Sequence, residues 1–432
     1  MILANSSRQF STVRFTLPTS SSPTPLRTRI LTFTSSSASL PRRLSHFKCL
    51  SASLPFAAET AKHYRELEAA IDVVEAASKI CVEVQTALQS SATGIREKND
   101  QTPVTVADFS VQALISLELG RRFPSIPLVA EEDSASVRAL NLVEPVVNAV
   151  VEKAGAGEEP LTAEDVLEAI DRGGPEAFTF GAQPATYWLL DPIDGTRGFV
   201  MGNKALYVVG LALVVDGEIV LGVMGCPHWQ ESNKCISGVQ EEKSIPFGTG
   251  LLMVSHIGCG TWTRSLSSVI NGTPRTPYSW TRSFVDDCSI VPQARFCITE
   301  SEAWEALPPA ALFTSTTNAE SVGQSQVLVL KPCCGSLCKY LLVASGRGSV
   351  FIQRQKDKVV KAWDHAVGII CVLEAGGTAT DWEGNQVDLA ADEVGRRIIY
   401  PQGGFLVSNG KIHNQLLELI SSTSSTVSAS RI

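Results

Sequence analysis

Two carboxylates three positions apart, with a proline between them, make Asp191-Pro192-Ile193-Asp194-Gly195-Thr196 the most chemically loaded segment of this sequence. They follow an apolar run, residues 187–190, that reads as a strand leading straight into the first acid. Pro192 fixes its own φ and gives up a donor, which stiffens the turn. Gly195 leaves the backbone free to change direction. Such a turn can aim two carboxylates and the Ile193 carbonyl at one point, and hard divalent cations take that set of oxygens. The N–H groups of Gly195 and Thr196 are then available to a phosphate if a helix starts there. Taken alone, an Asp-x-x-Asp pair is more often a solvated turn.

Other acids stand at comparable places. Glu131-Glu132-Asp133 closes a short strand-like run over residues 127–131. Asp364, in Ala362-Trp363-Asp364-His365-Ala366, opens a helical pattern in the position of an N-cap. Asp108 follows Pro103-Val104-Thr105-Val106-Ala107, where by itself it reads as the cap of the helix that starts there.

In this order the four segments resemble the lithium-sensitive, metal-dependent phosphatases of the inositol monophosphatase superfamily, and the resemblance runs from Phe56 to about Leu419. Thr196-Arg197-Gly198-Phe199 and the acidic insertion before Trp188 are similar to its 3′(2′),5′-bisphosphate nucleotidase branch. The resemblance implies an α+β chain layered as an α/β/α/β/α sandwich, the sugar-phosphatase fold. It implies Mg²⁺-dependent removal of the 3′-phosphate from adenosine 3′,5′-bisphosphate, a small-molecule nucleotide substrate. Glu131, Asp191 and the carbonyl of Ile193 would hold one Mg²⁺, and Asp191, Asp194 and Asp364 a second. Asp108 with Thr196, supported by Thr105, would orient and deprotonate the attacking water. Gly195, Thr196 and Asp364 would border the substrate. Ser336 and Lys339, in Gly335-Ser336-Leu337-Cys338-Lys339-Tyr340, would hold the nucleotide, with Lys339 and Arg354 answering its 5′-phosphate.

The sequence departs from the family pattern twice. Glu131-Glu132-Asp133 replaces the commoner Glu-Glu-Ser, and no His stands near Glu300 and Glu302, which leaves the base contacts unassigned. Three alternatives stay open at this level. The 3′-phosphosulfate form of the nucleotide is a second candidate substrate. An inositol polyphosphate 1-phosphatase or another small phosphomonoesterase keeps the chemistry and changes the substrate. A protein that binds the nucleotide without hydrolysing it changes the class.

These residues need elements to position them. Leu67, Ala70, Ile71, Val74, Ala77, Ile80 and Val84 recur at helical spacing and predict a helix between about residues 56 and 90. An extended stretch over 102–106 leads into a helix over 107–121. Residues 141–180 read as an acidic insertion with one helix, at 163–170. Residues 205–215 and 218–224 flank Asp216-Gly217 and predict a hairpin. Further on, a helix over 338–344, a strand over 349–352 and a helix over 363–375 closed by Gly376-Gly377 are expected. The chain thus divides into a metal-binding lobe over 56–225, a nucleotide-binding lobe over 226–420 and a flexible tail over 421–432.

Composition bounds the rest. The first 58 residues carry Arg8, Arg14, Arg27, Arg29, Arg42, Arg43 and Lys48 and not one acid, the make-up of an organellar transit peptide, mitochondrial or chloroplast, placed here over 1–55. Without those seven basic residues the formal charge moves from −8 to −15. So acidic a remainder does not suit gripping a nucleic-acid polymer by its backbone. No apolar run approaches the roughly 18 residues that span a bilayer. Eleven cysteines, an odd number without framework spacing, read as free thiols of a reducing compartment. A monomer or weak homo-oligomer is expected.

Overall fold

The computed structural model describes residues 54–429 apart from internal segments, of which 231–249 and 313–327 are the longest. All but the last two residues of the expected leader lie outside the described residues. Helix α1 (Tyr64–Ser90) leads through a two-stranded ribbon, β1 (Ile95–Glu97) and β2 (Pro103–Thr105), into α2 (Val106–Arg122). A seven-stranded sheet follows in chain order: β3 (Leu128–Ala130), β4 (Tyr187–Asp194), β5 (Val208–Val215), β6 (Glu218–Cys226), β7 (Leu251–His256), β8 (Gly260–Ser265) and β9 (Thr281–Arg282). Only its first pair, β3 and β4, is parallel. Helices α3 (Ser134–Ala139), α4 (Val143–Val151) and α5 (Ala163–Asp171) lie between β3 and β4, and α6 (Thr196–Met201) follows β4.

The second sheet is built from β10 (Arg295–Cys297), β11 (Leu328–Leu330), β12 (Val350–Arg354), β14 (Thr378–Asp381) and β16 (Gly404–Ser408), in the order β11-β10-β12-β16-β14. A small pair, β13 (Val360–Lys361) and β15 (Ile398–Ile399), stands apart from it. The last three helices are α7 (Leu337–Ala344), α8 (Ala366–Glu374) and α9 (His413–Ala429).

Alternation along the strands sets the layers. In β5, Val209, Leu211 and Leu213 enter a core with Leu67, Val74, Val111 and Ile115 of α1 and α2. Val208, Ala212 and Val214 face the opposite way, into a core with Leu337, Val367 and Cys371 of α7 and α8. A strand buried on both faces reads as one continuous apolar run, as 208–215 does. Gly210 and Gly222 meet Leu337, Val367 and Ile370 so closely that a Cβ at either would clash. In the second sheet Phe351 joins the α7–α8 core, whereas Val350 and Ile352 pack on Leu416 and Ile420 of α9. The result is five layers, helix–sheet–helix–sheet–helix, as expected from the sequence.

Four expectations need correction. The insertion holds two helices, α4 as well as the expected one at α5, although α4 carries Pro145 and five valines. Pro145 sits in the first turn, where its missing N–H costs nothing, and Val146 and Val150 are buried one turn apart. The boundary expected after residue 225 cuts one sheet, because β7–β9 continue it to Arg282. Helix α9 carries through the Ser/Thr-rich stretch to Ala429, where a flexible tail was expected. Helix α8 starts at Ala366 with His365 as its N-cap, so Asp364 stands outside the helix. Gly376, with φ 91°, closes α8 as expected. The seven described cysteines, among them Cys81, Cys226 and Cys371, are free thiols.

Helix α9 is anchored through a buried histidine. The Thr380 hydroxyl donates to the Asp381 carbonyl at 2.7 Å, so it accepts from His413 Nε2 at 2.9 Å. Nδ1 then accepts from Ser408 Oγ at 2.9 Å. Burial pushes the His413 pKa down to about 4. Between pH 6.5 and about 4 the unfolded chain therefore binds the extra proton, and stability falls as pH falls through that window. The loss amounts to about 3 kcal/mol at its full extent. Urea unfolding at pH 7 and pH 4.5 should show a steeper loss for the wild-type chain than for His413→Asn; equal pH dependence would refute this role.

Candidate active site

The same alternation aims the first carboxylate. Tyr187 and Leu189 face α7 and α8, so Asp191, two residues on, faces them too. Pairing with β5 slips between Asp191 and Asp194 around Pro192. That bulge turns Ile193 into the α1–α2 core and returns Asp194 toward α7. Asp194 Oδ1 accepts the Ser336 N–H at 2.9 Å and Oδ2 the Leu337 N–H at 2.7 Å, so the acid sits on the first turn of α7.

Asp364, released from α8, completes a trio. Asp191, Asp194 and Asp364 offer oxygens that all lie within 4.8 Å of one another. Burial, then the charges of Asp194 and Glu131, drive Asp191 and Asp364 well above the usual carboxylate range. Asp194 rises only to about 6: burial pushes it up, while the Lys339 charge and the two α7 amides pull it back. Glu131, exposed at the end of β3 next to β4, is felt by all three. Asp191 Oδ1 is buried with no hydrogen-bond partner. A buried oxygen without a donor, inside a cluster of like charges, is costly unless a cation answers it. The donor set, all hard oxygen, fits a divalent cation such as Mg²⁺.

Asp108 serves two neighbours with separate oxygens. Its Oδ2 accepts from Thr105 N and Thr105 Oγ1, both at 2.8 Å, as the third residue of a capping box whose N-cap is Thr105. Its Oδ1 accepts from Thr196 Oγ1 at 3.2 Å. The single Thr196 proton is contested by the Ile193 carbonyl, at 3.1 Å. Asp108 therefore caps α2 and at the same time meets Thr196 at the start of α6. Gly195, left-handed at φ 88°, is the N-cap of α6, which starts at Thr196.

Of the residues expected at the nucleotide, Ser336 and Lys339 stand beside Asp194. Lys339 is buried on α7, and its ammonium donates to the Gly335 carbonyl. Arg354 is not brought here. Its guanidinium donates to the Ala306 carbonyl and lies over Trp382 at 5.4 Å, and its N–H donates to Glu302 at 3.2 Å. The region near residue 300 expected to face the base is only partly within the described residues.

Sequence reading missed several supports. Gln112 Nε2 donates to the carbonyls of Glu132 at 2.7 Å and Ile170 at 2.8 Å, and its Oε1 accepts the Glu132 N–H at 2.8 Å, which fixes the chain just past Glu131. A buried glutamine one turn after Asp108 was the available signal. Gly335 combines φ 67° with an approach so close that a Cβ would stand 2.2 Å from Asp194 Oδ2. Gly335→Ala should therefore displace Asp194 and cut activity by about 100-fold or more, the scale of a misplaced reacting group. Phosphate release from the purified variant checks this; activity near wild type would refute it.

A layered sandwich with a carboxylate cluster at the bulged end of an interior strand is the build of one class of metal-dependent phosphatases. The sequence profile of the inositol monophosphatase family matches residues 64–425. An IMPase of Thermotoga maritima shares the fold, with a TM-score of 0.50 at 17% identity over 84% of this chain and 99% of that one. A protein of Arabidopsis thaliana provisionally named a mitochondrial 3′(2′),5′-bisphosphate nucleotidase is 54% identical over 99% of this chain and 100% of its own length. The 3′(2′),5′-bisphosphate nucleotidase of Oryza sativa is 33% identical over 82% of this chain and 93% of its own. The chain belongs to the inositol monophosphatase family and, within it, to the branch of the 3′(2′),5′-bisphosphate nucleotidases.

Proposed function

We propose that this chain hydrolyses the 3′-phosphate of adenosine 3′,5′-bisphosphate, with Mg²⁺ as its metal. The observation that carries the reading is the meeting of Asp191, Asp194 and Asp364 within 4.8 Å, in a chain that also pairs Asp108 with Thr196. Asp191, Asp194 and Asp364, with Glu131 and the Ile193 carbonyl, would hold the metal. Bound there, divalent cations neutralise phosphoryl oxygens, ease deprotonation of water and stabilise the departing ribose oxygen.

The chain's own groups do the rest. Thr196 Oγ1, donating its proton to Asp108 Oδ1, keeps lone pairs to accept one from water. As the water oxygen attacks phosphorus, its proton passes to Thr196 and that of Thr196 to Asp108. The phosphorus–O3′ bond breaks, its electron pair stays on O3′, and O3′ takes a proton from solvent. The products are the 5′-mononucleotide and inorganic phosphate.

Ser336, Gly195 and Lys339 would border the nucleotide, with Lys339 toward the 5′-phosphate. A remote phosphate held there lends binding energy to the reacting centre, which favours a bisphosphate over a 3′-monophosphate. The acid-free, basic leader and the name of the Arabidopsis relative favour import into the mitochondrion.

Phosphate release tests the reading, from adenosine 3′,5′-bisphosphate, its 3′-phosphosulfate form, adenosine 3′-monophosphate and inositol 1,4-bisphosphate, each with Mg²⁺, EDTA and Li⁺. The adenosine bisphosphate should lead, with activity lost in EDTA and reduced by Li⁺. Faster release from inositol 1,4-bisphosphate would overturn the substrate, and full activity in EDTA the metal.

A further inference from the structure

We infer that Arg397 is a positioning residue for the carboxylate cluster, locking the strand end that carries Glu131 to the segment that carries Asp364. The inference rests on the metal-site reading above. Arg397 immediately precedes β15, and its carbonyl accepts the Ala362 N–H at 2.8 Å, two residues before Asp364. Its guanidinium lies over the Trp363 ring, 5.5 Å from the centroid, and reaches across to β3. There Nη1 donates to the Ala130 carbonyl at 2.7 Å and Nη2 to the Gly173 carbonyl. Gly173 O also accepts the Ala130 N–H, at 2.9 Å. One side chain thus grips the last residue of β3, the loop after α5 and the indole next to Asp364.

The turn is shaped for this. Asp392 Oδ2 accepts the Arg397 N–H at 2.9 Å, and Oδ1 that of Gly395 at 3.0 Å. Arg396 takes the left-handed φ of 55°, which a non-glycine residue rarely adopts, and so throws the two successive guanidiniums apart. Arg396 goes to the carbonyls of Ala390, Gly181 and Gln183, leaving Arg397 to face β3. Two carbonyls and a ring face at once call for a planar fork; a lysine ammonium can serve one of the three well. Groups that orient metal ligands in this way typically change metal affinity about 10–100-fold when replaced.

Calorimetric Mg²⁺ titration of EDTA-stripped protein tests the inference, with nucleotide KM, kcat and melting temperature measured alongside. Arg397→Lys should weaken Mg²⁺ binding about 10-fold, leave KM for the nucleotide unchanged, and regain most of kcat at saturating Mg²⁺. Arg397→Gln should weaken Mg²⁺ further; if it fails to fold, Arg397→Lys decides. Arg264→Lys disturbs the buried Glu75–Arg264 pair between α1 and β8, and serves as a stability control. It should lower the melting temperature with Mg²⁺ affinity unmoved. Wild-type Mg²⁺ affinity in Arg397→Lys, or a loss matched by Arg264→Lys at equal melting temperature, would overturn the inference. Absence of Mg²⁺ binding by the wild-type protein would instead overturn the metal-site reading beneath it.

Discussion

Asp108→Asn should lower turnover of adenosine 3′,5′-bisphosphate by about 10³-fold, within the range general-base removal produces, while nucleotide and Mg²⁺ binding stay as in the wild type. The substitution is nearly isosteric, and the asparagine carbonyl can still accept from Thr105 N and Oγ1, which lie at 2.8 Å from Oδ2. Its amide NH₂ then faces Thr196 Oγ1, where the carboxylate oxygen stood at 3.2 Å. An NH₂ group donates and cannot take a proton, so the Thr196 hydroxyl turns to the Ile193 carbonyl and the path from water ends there. Thr105→Ala, which removes the cap together with one donor to Asp108 Oδ2, costs about 1 kcal/mol of stability. Phosphate release and calorimetric binding separate the two roles. Turnover within tenfold of wild type would reduce Asp108 to a helix cap.

Asp191→Asn carries the second large effect, and its two readouts move in opposite directions. Activity should fall by about 10³-fold or more, since a lost metal interaction is worth several kcal/mol and each 1.36 kcal/mol is tenfold. Yet the EDTA-treated variant should melt at a higher temperature than the EDTA-treated wild type. Without a cation, Asp191 is a buried carboxyl group with an unpartnered oxygen crowded against Asp194 and Asp364, and the neutral amide relieves that crowding of like groups. Added Mg²⁺ should raise the wild-type melting temperature and leave that of the variant nearly unchanged. Thermal unfolding with and without Mg²⁺ checks this. A variant less stable than wild type in EDTA would mean that Asp191 is a structural residue.

What the sequence revealed, and what it hid, follows from the range of the forces involved. The Asp216-Gly217 hairpin and the stiff Asp191–Asp194 turn are local patterns, and both were legible. That Asp364 meets Asp191 was not readable from spacing; it entered only through family resemblance, because α8 and β4 are joined by packing, not by sequence proximity. Helix α4 was hidden because burial of Val146 and Val150 overrides the weak helix preference of a valine-rich, proline-bearing segment. Arg354 read as a phosphate ligand because a cation at a strand end is a familiar arrangement. Its partners, Ala306 and Trp382, come from distant parts of the chain. Gly335 gave no sign at all, since nothing in a Gly-Ser pair says that a carboxylate will stand where a Cβ would go. Adjacent in sequence, Arg396 and Arg397 gave no sign that the left-handed turn at Arg396 sends them to different loops.

The most direct measurement is an anomalous difference map from crystals of the active protein soaked in Mn²⁺, a stand-in for Mg²⁺ with usable scattering. A strong peak should lie at bonding distance, about 2.1 Å, from carboxylate oxygens of Asp191, Asp194 and Asp364. Crystals that hold Mn²⁺ only elsewhere, from a preparation that hydrolyses the nucleotide in the same buffer, would contradict the account.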